Sequence, residues 1–324
     1  MRAAVVTDWL GPEGLEVQDI DPPPLGPGEV RLRVRAAGVN FADVLMTRGE
    51  YQVKPPRPFA PGLEVAGEVL ETGAGVEGLA AGQRVMAILH YGGFAEEAVT
   101  GADGVFPIPD AMSFEIAAGF AVVYGTAHMG LMLKARLQVG ETVLVHGAAG
   151  GVGLAAVEVA KAAGARVIAT AGGPAKLAVA AEHGADEGID YGEEDVRARV
   201  KQLTDGAGAD VVFDPVGGDV FDASLRAIRQ GGRMLIVGFA SGRVPQIPAN
   251  ILLVKNIQAL GFYWGAHRVL DPELMRRSFA ELFDWFEQGR LDPHISETHD
   301  LADASSALAA LVERRATGKV VLTP

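Results

Sequence analysis

The chain has 324 residues, 49% of them hydrophobic, and a formal net charge of −13. A length beyond that of one ordinary core predicts two domains. The acidic balance, with no basic run longer than two residues, argues against non-specific binding to nucleic acid or to an anionic membrane. There is no cysteine, which excludes disulfides, thiolate catalysis and cysteine-ligated zinc.

Two apolar stretches of the sequence help to predict the cellular location of the protein. Asp8 interrupts the early apolar run, so we expect no secretory signal. Residues 116–133 carry no formal charge, but they include three glycines and His128, a poor composition for a lipid-facing helix. We interpret them as a buried helix leading into the second domain, and we expect a cytoplasmic protein.

The amino-terminal part of the chain has the texture of a β domain. Residues 31–37 alternate charged and apolar side chains, as a half-exposed strand does. Residues 63–70 and 84–89 are further strand candidates, and proline–glycine segments separate them. Many short strands with frequent turns predict an antiparallel, barrel-like domain.

A glycine-dense turn at residues 147–153 dominates the middle of the chain. It follows an apolar β-branched run, residues 143–145, and opens onto an alanine-rich segment that reads as a helix. Gly150 and Gly153 match the second and third glycines of the dinucleotide fingerprint, whereas Ala148 stands at the first. A strand, a glycine turn and a helix in this order place backbone N–H groups where they can hold a phosphate.

Strands and helices alternate from residue 141 to about residue 265, which predicts a doubly wound parallel sheet. Two amphipathic helices follow, and residues 319–322 form a closing strand that we expect to return to the first domain. The predicted division is therefore residues 1–122, residues 123–265 as the nucleotide-binding domain, and residues 266–324 as the return.

Several motifs now in view occur together, in order, along nearly the whole chain. They are Gly38-Val39-Asn40-Phe41-Ala42-Asp43, Arg48-Gly49-Glu50-Tyr51, Pro61-Gly62-Leu63-Glu64-Val65-Ala66-Gly67, Gly92-Gly93-Phe94-Ala95-Glu96, Ala148-Ala149-Gly150-Gly151-Val152-Gly153, Asp214-Pro215-Val216-Gly217-Gly218 and Gly318-Lys319-Val320-Val321-Leu322. With them the chain resembles the zinc-independent quinone oxidoreductase (zeta-crystallin-like) family of the medium-chain dehydrogenase/reductase superfamily. The resemblance implies an α/β protein in which a Rossmann domain interrupts a mostly-β, GroES-like catalytic domain, with substrate in the cleft between them and a homodimer as the assembly.

The chain differs from zinc alcohol dehydrogenases at the positions of the zinc ligands. Where zinc alcohol dehydrogenases have a cysteine, and a histidine before a glutamate, this chain has Asn40 and Leu63. Glu64 remains, but one carboxylate cannot make a site that needs three protein ligands. We therefore predict no metal and no alcohol oxidation.

The cofactor predicted from the residues is NADPH. NAD-dependent Rossmann enzymes carry an acidic residue after the second strand, whereas residues 167–173 contain no carboxylate. Lys176 follows on the next helix, and the resemblance implies that Lys176 and Tyr191 hold the 2′-phosphate. The alternatives are a solvated surface lysine and a packed tyrosine.

The remaining site residues are implied by the resemblance, and no residue is assigned as certainly catalytic. The predicted cofactor contacts are Asn40, Thr126, Ala149, Gly150, Gly151, Val152, Gly153, Gly172, Lys176, Tyr191, Gly238, Phe239, Phe262, Trp264 and Lys319. The predicted substrate pocket comprises Tyr51, Asn40, Leu45, Phe239 and Trp264. Leu45 replaces a second family tyrosine, which makes the pocket more apolar.

Alternatives remain open for several of these residues. Asn40 could be an ordinary turn residue, Thr126 could satisfy a buried helix, and the segment at Phe262–Trp264 could belong to a dimer-edge strand.

Hydride transfer needs a positioned cofactor and a dry site rather than a protein nucleophile. The leading function is an NADPH-dependent oxidoreductase that transfers hydride to a quinone. The first alternative is a reductase of α,β-unsaturated carbonyls, either 2-alkenals and enones or enoyl thioesters. The second is a non-catalytic, crystallin-like NADPH-binding protein. No nucleic-acid or membrane partner is predicted.

Overall fold

The structure is a computed structural model that describes residues 1–324. The strands, in chain order, are β1 Arg2–Val6, β2 Leu15–Asp19, β3 Glu29–Val39, β4 Glu64–Thr72, β5 Arg84–Ile88, β6 Glu97–Gly101, β7 Val105–Pro107, β8 Thr142–Val145, β9 Arg166–Ala171, β10 Glu187–Asp190, β11 Ala209–Asp214, β12 Ile228–Ile236, β13 Gln258–Gly261, β14 Ile295–Asp300 and β15 Lys319–Thr323. The α-helices are α1 Phe41–Thr47, α2 Phe114–Ala118, α3 Ala121–His128, α4 Gly151–Ala162, α5 Pro174–Glu182, α6 Val196–Leu203, α7 Gly218–Ala227, α8 Ala249–Lys255, α9 His267–Leu270, α10 Pro272–Glu287 and α11 Ala304–Val312.

The chain divides into two compact units. The first contains Met1–Val122 and Pro293–Pro324, and the second contains Val123–Asp292. This division differs from the predicted one at residues 266–292, which belong to the second unit. The physical reason is α10, whose Phe279 ring packs edge-on against Trp264 and whose Ser278 hydroxyl meets His128 Nδ1 at 2.8 Å.

The first unit is built on a seven-stranded sheet whose main path runs β14-β15-β3-β4-β5-β7, with β6 also paired to β3. Strand β3 pairs antiparallel with β4, β6 and β15, so the closing strand does join the first unit. Along β3, Val30, Leu32 and Val34 are buried while the arginines between them face outward. This alternation is the pattern that predicted the strand.

Strand β3 loses its alternation where it approaches the candidate site. From Ala36 to Val39 every residue is buried. A Cβ on Gly38 would lie 2.1 Å from the Ala118 carbonyl oxygen and 2.6 Å from Glu64 Oε1. Only glycine allows this close approach, which brings the end of β3, strand β4 and helix α2 together.

The second unit is a six-stranded sheet in the order β10-β9-β8-β11-β12-β13, and every neighbouring pair is parallel. This order confirms the predicted doubly wound fold. It reverses direction around β8, so the ligand crevice of such a sheet lies at the carboxyl ends of β8 and its neighbours.

The uncharged stretch at residues 116–133 is mostly buried, with Leu133 exposed at its end, but it is not one helix. It comprises the end of α2, helix α3 and a π-helical turn at Met129–Lys134. Gly119 ends α2, and a Cβ there would approach Ile295 Cδ1 to 2.9 Å. No helix of the protein combines the length and the apolar character that crossing a bilayer requires.

Candidate functional site

The glycine turn lies where β8 ends and α4 begins. Gly147 has φ +58°, and the Gly150 N–H donates to its carbonyl oxygen at 2.9 Å. A Cβ on Gly153 would lie 2.1 Å from that same oxygen. The turn is therefore closed by backbone-to-backbone contact that only glycine permits at position 153.

Helix α4 begins at Gly151 with Gly150 as an N-cap that makes no side-chain hydrogen bond, and its first turn contains no acidic residue. The first N–H groups of a helix have no intrahelical acceptor, and the helix dipole favours an anion there. The predicted contacts from Ala149 to Gly153 all lie in this turn. Its donors fit a pyrophosphate.

His146, the residue just before the glycine turn, is hydrogen-bonded to two neighbouring elements. Its ring is buried, with Nδ1 2.9 Å from Thr170 Oγ1 and Nε2 2.6 Å from Ser224 Oγ. Because the Ser224 hydroxyl donates to the Val220 carbonyl oxygen, it accepts from Nε2–H, and Nδ1 accepts from Thr170. Burial lowers the pKa of His146, so the ring is a neutral cross-link between β8, β9 and α7.

The end of β9 brings two of the predicted cofactor contacts, Gly172 and Tyr191, together. A Cβ on Gly172 would lie 2.9 Å from the Tyr191 hydroxyl oxygen, so the phenol lies against the backbone after β9. The Tyr191 side chain is 43% exposed, which leaves it open to a ligand. Lys176 is half-buried in the first turn of α5.

Sequence reasoning missed one acidic neighbour of this group. Asp190 pairs in register with Ala171 at the carboxyl end of β9. Its Oδ1 accepts the Gly192 N–H at 2.9 Å, so this oxygen stabilises the loop after β10. Asp190 stands at the end of the third strand, outside the position where the fingerprint places an acidic residue.

Three predicted nicotinamide contacts of the second unit lie on or against α3 and the turn after it. A Cβ on Gly125 would lie 2.6 Å from the Trp264 ring, and one on Gly130 would lie 3.4 Å from the Phe262 ring. Thr126, on the same helix, is buried. Trp264 Nε1 is buried without a hydrogen-bond partner, and an acceptor on a bound ligand would relieve this unfavourable state.

Gly238 and Phe239 follow the carboxyl end of β12. Phe239 is 41% exposed and lies beside Gly217, where a Cβ would be 3.3 Å from its ring. Asp214, at the end of β11, accepts the Val216 and Gly217 N–H groups at 2.7 and 2.9 Å. Its carboxylate therefore shapes the turn that faces Phe239, a role that the motif did not reveal.

Asn40 and Lys319 form one buried network with Glu64 in the first unit. The Lys319 ammonium is only 5% exposed and donates to Glu64 Oε1, Asn40 Oδ1 and the Val39 carbonyl oxygen at 2.8, 2.8 and 2.7 Å. Asn40 Nδ2 donates to Glu64 Oε1 at 2.9 Å. Glu64 Oε2 accepts the Val122 N–H at 2.8 Å. Lys319, predicted to contact the cofactor, thus has all three donors committed within its own unit.

Asp43 adjoins this network through the backbone of Asn40, with which it forms the capping box at the start of α1. Its carboxylate accepts the Asn40 N–H at 2.8 Å and the Gly62 N–H at 3.1 Å. Burial is the largest cause that raises the pKa of Asp43 to about 7, against the lowering effects of these N–H groups and of Lys319.

These residues do not fit a zinc ion. Leu63 offers no ligand atom. The Glu64 carboxylate is already paired with the Lys319 ammonium, and this ammonium would repel a doubly charged metal ion. No group of three His, Cys, Asp or Glu side chains anywhere in the chain could hold a metal.

Tyr51 and Leu45 are half-buried near the other end of α1. Tyr51 packs against an apolar cluster of Val6, Met46, Phe59 and Leu63. Trp9 packs against the same cluster, and its ring lies 5.9 Å from that of Phe59.

An aromatic row extends from this cluster. The Phe59 and Tyr91 rings are 6.0 Å apart, and the Arg57 guanidinium stacks 4.9 Å from the Trp9 ring centroid. Sequence reasoning missed this row because its members are scattered over separate loops.

Together, the fold and these clusters define a two-unit dehydrogenase or reductase with a dinucleotide-binding Rossmann unit. Two protein-family models match the chain and agree with this class. The one described as "Alcohol dehydrogenase GroES-like domain" matches residues 26–110, and the one described as "Zinc-binding dehydrogenase" matches residues 151–288.

Similarity to known proteins identifies the family within this class. The chain is 48% identical over 301 residues to the quinone oxidoreductase-like protein 2 homolog of Nematostella vectensis, covering 92% of this chain and 82% of that one. It is 39% identical to a quinone oxidoreductase of Pseudomonas aeruginosa, over 97% of each chain. The Escherichia coli quinone oxidoreductase, solved in complex with NADPH, superposes with a TM-score of 0.94 at 31% identity over the full length of both chains. The chain belongs to the quinone oxidoreductase family of the medium-chain dehydrogenase/reductase superfamily.

Proposed function

We propose that this chain is an NADPH-dependent oxidoreductase that transfers hydride to a quinone without a metal. The observation that carries the proposal is the glycine turn. Its uncapped N–H groups, at the start of a helix with no acidic first turn, form an anion site at the carboxyl edge of a parallel sheet. Membership of the family supplies the reaction class.

The choice of NADPH rests on the end of β9. Residues 171–173 offer no carboxylate to repel a 2′-phosphate. A carboxylate about 4 Å from that charge would be unfavourable by roughly 4 kcal/mol per charge pair at an effective dielectric of about 20. Tyr191 supplies a hydroxyl at Gly172, and Lys176 supplies a positive charge on the following helix.

When bound, NADPH supplies the hydride, and a quinone that accepts a hydride and a proton becomes a hydroquinone. The protein's task is to bind, orient and exclude water. Ala149–Gly153 hold the pyrophosphate, while Thr126, Gly238, Phe239, Phe262 and Trp264 contact the nicotinamide half. Tyr51 offers a phenol to the acceptor, in an apolar setting that includes Leu45.

A reductase of α,β-unsaturated carbonyls is the second candidate. It is favoured by Leu45, which stands where the resemblance implies a second tyrosine, a residue whose phenol could meet the second oxygen of a quinone. The homodimer and the cytoplasmic location belong to the same proposal. Strand β13 is the edge of its sheet and pairs only with β12, so a second copy can extend the sheet there.

The test is stopped-flow oxidation of NADPH by ortho- and para-quinones, beside 2-alkenals and enoyl-CoA thioesters. We expect the fastest turnover with quinones, and slower turnover with NADH in place of NADPH. Faster turnover with alkenals or thioesters would favour the second candidate. Tight NADPH binding without turnover of any acceptor would contradict an enzymatic function and favour a non-catalytic NADPH-binding protein.

A further inference from the structure

Two chain connections join the second unit to the first. The chain enters the second unit after Val122 and leaves it at Asp292. Tyr124 is the second residue beyond the entry, so we call residues 122–124 the entry connection and residues 290–293 the exit connection. Although these segments are far apart in the sequence, one side chain of α4, that of Glu158, is hydrogen-bonded to both.

Both oxygens of the Glu158 carboxylate are engaged, and all the residues concerned belong to the second unit. Oε2 accepts the Tyr124 hydroxyl at 2.8 Å and the Asp292 N–H at 3.0 Å. Oε1 lies 2.6 Å from Nδ1 of His183, the residue that follows α5. Helix α4 therefore holds the entry and the exit connection through a single carboxylate.

The charge of this carboxylate is balanced by His183. A buried carboxylate is unfavourable unless a cation pairs with it, and the side chains of Glu158 and His183 are only 4% and 10% exposed. The hydrogen bond to Glu158 raises the pKa of His183 above its usual 6.5, against the lowering effect of burial. Burial and the Glu158 charge raise the pKa of Tyr124, so its hydroxyl stays protonated and donates.

The other charged groups on the surrounding elements do not take the place of His183. They are two acids and two bases: Asp292, Glu182, Lys161 and Arg290. The acids raise the pKa of His183 further. The bases are bound elsewhere, one to the Asp186 carboxylate at 2.8 Å and the other to a carbonyl oxygen at the end of α4.

We propose that Glu158 and His183 form a pH-dependent anchor, in which protonated His183 keeps the Glu158 carboxylate paired and both connections of the second unit bound to α4. Because the folded-state pKa of His183 lies above 6.5, the anchor is at full strength below about pH 6.5 and weakens as the pH rises through the folded value. The entry and exit connections then open locally more often. The anchor involves neither the cofactor nor a quinone.

Hydrogen exchange of the Asp292 N–H measures the anchor directly, because this group donates to Glu158. After correction for the intrinsic pH dependence of exchange, we expect its protection factor to fall about tenfold between about pH 6 and about pH 8.5, the lower value for a hydrogen bond to a charged group. Peptides that span residues 121–126 should lose protection over the same range. The Val237 N–H, bound to the Asp214 carbonyl oxygen at 2.9 Å, is the reference that should not change.

Variants identify the titrating group. We expect His183→Gln to exchange the Asp292 N–H rapidly at both pH values, because Glu158 then has no cation. The double variant His183→Gln/Glu158→Gln buries no charge, so it remains folded if the single variant does not, and its protection should not depend on pH. Lys161→Gln is the matched control on the same helix, since it breaks an ion pair that touches neither connection, and it should behave as the wild type does.

Four results would overturn the inference: equal protection of the Asp292 N–H at both pH values in the wild type, a pH dependence that persists without His183, an equal loss at Val237, or loss of the effect in Lys161→Gln. All measurements are made without cofactor. A protein that fails to bind NADPH or to reduce a quinone would contradict the proposed function and leave this test unaffected.

Discussion

The candidate functional residues of the two units are held by different kinds of interaction. The second unit uses backbone: a turn closed by the Gly147 carbonyl oxygen against Gly153, and free N–H groups at the start of α4. The first unit uses buried charge: Lys319, Glu64 and Asn40 in one hydrogen-bonded network, with Asp43 beneath it. A backbone site is sensitive to added volume, whereas a charged network is sensitive to lost partners and to pH. Substitutions can test this difference.

The largest expected effect is the loss of Glu64. Glu64→Ala leaves the Lys319 ammonium and the Asn40 amide without their shared acceptor in a buried site. We expect the free energy of unfolding to fall by about 4 kcal/mol, as for broken buried ion pairs. Urea denaturation measures it. The matched control is Glu68→Ala on the same strand, whose partly exposed pair with Arg35 contributes less than about 1 kcal/mol. Equal effects of the two substitutions would contradict a buried network.

Added volume in the second unit comes next. Gly153→Ala drives a methyl group into the Gly147 carbonyl oxygen, so the turn must open. We expect a loss of about 3 kcal/mol in the free energy of unfolding, at the upper end for overpacking, together with the loss of most NADPH affinity. Gly261→Ala is the control, because a Cβ there meets nothing within 4 Å. Normal NADPH binding by Gly153→Ala would show that the turn does not hold the cofactor.

The pH dependence of the first unit depends on Asp43. Its pKa rises on folding from 3.8 to about 7, mainly through burial; the Glu64 carboxylate adds to the rise, whereas the Asn40 and Gly62 N–H groups and Lys319 oppose it. The folded state therefore binds more protons than the unfolded state between about pH 4 and 7, and stability falls as the pH rises through that window. From pH 5 to 7 we expect this group to account for about 2–3 kcal/mol.

Asp43→Asn isolates that contribution. Its free energy of unfolding should lack the Asp43 part of the decline, although one backbone N–H loses its acceptor and the variant is less stable at pH 5. Chemical denaturation at several pH values gives both curves. Parallel curves for wild type and Asp43→Asn would show that Asp43 does not titrate in this range.

The smallest expected effect concerns cofactor choice. Tyr191→Phe removes the hydroxyl that lies at Gly172. We expect NADPH affinity to fall about fivefold, the value of one hydrogen bond, while NADH affinity stays unchanged because NADH has no 2′-phosphate. Titration with both cofactors measures the ratio. Equal losses for the two cofactors would assign Tyr191 a packing role only.

The difference between the units also explains what could be predicted from sequence. The turn at residues 147–153 is contiguous, so strand, glycines and helix are read from one short segment, and the alternation of strands and helices around it predicts a parallel sheet. The partners of Asn40 could not be read in this way, because Glu64 and Lys319 lie 24 and 279 residues away in the chain. Sequence singled out Asn40 and Lys319 separately, but only the fold shows that they hold each other.

Two further features depended on tertiary packing. Residues 266–292 stay with the second unit because α10 packs its Phe279 and Ser278 against Trp264 and His128, contacts that helix periodicity does not specify. The row of Trp9, Phe59 and Tyr91 is assembled from loops whose spacing carries no pattern.

The central claim is that the protein transfers hydride from NADPH to a quinone. It is tested most directly by single-turnover stopped-flow, with enzyme in excess over NADPH deuterated at the transferred position of C4. The account predicts rapid oxidation of NADPH on mixing with a quinone, with a slower rate for the deuterated cofactor than for the ordinary one. Bound NADPH that no quinone oxidises would contradict it.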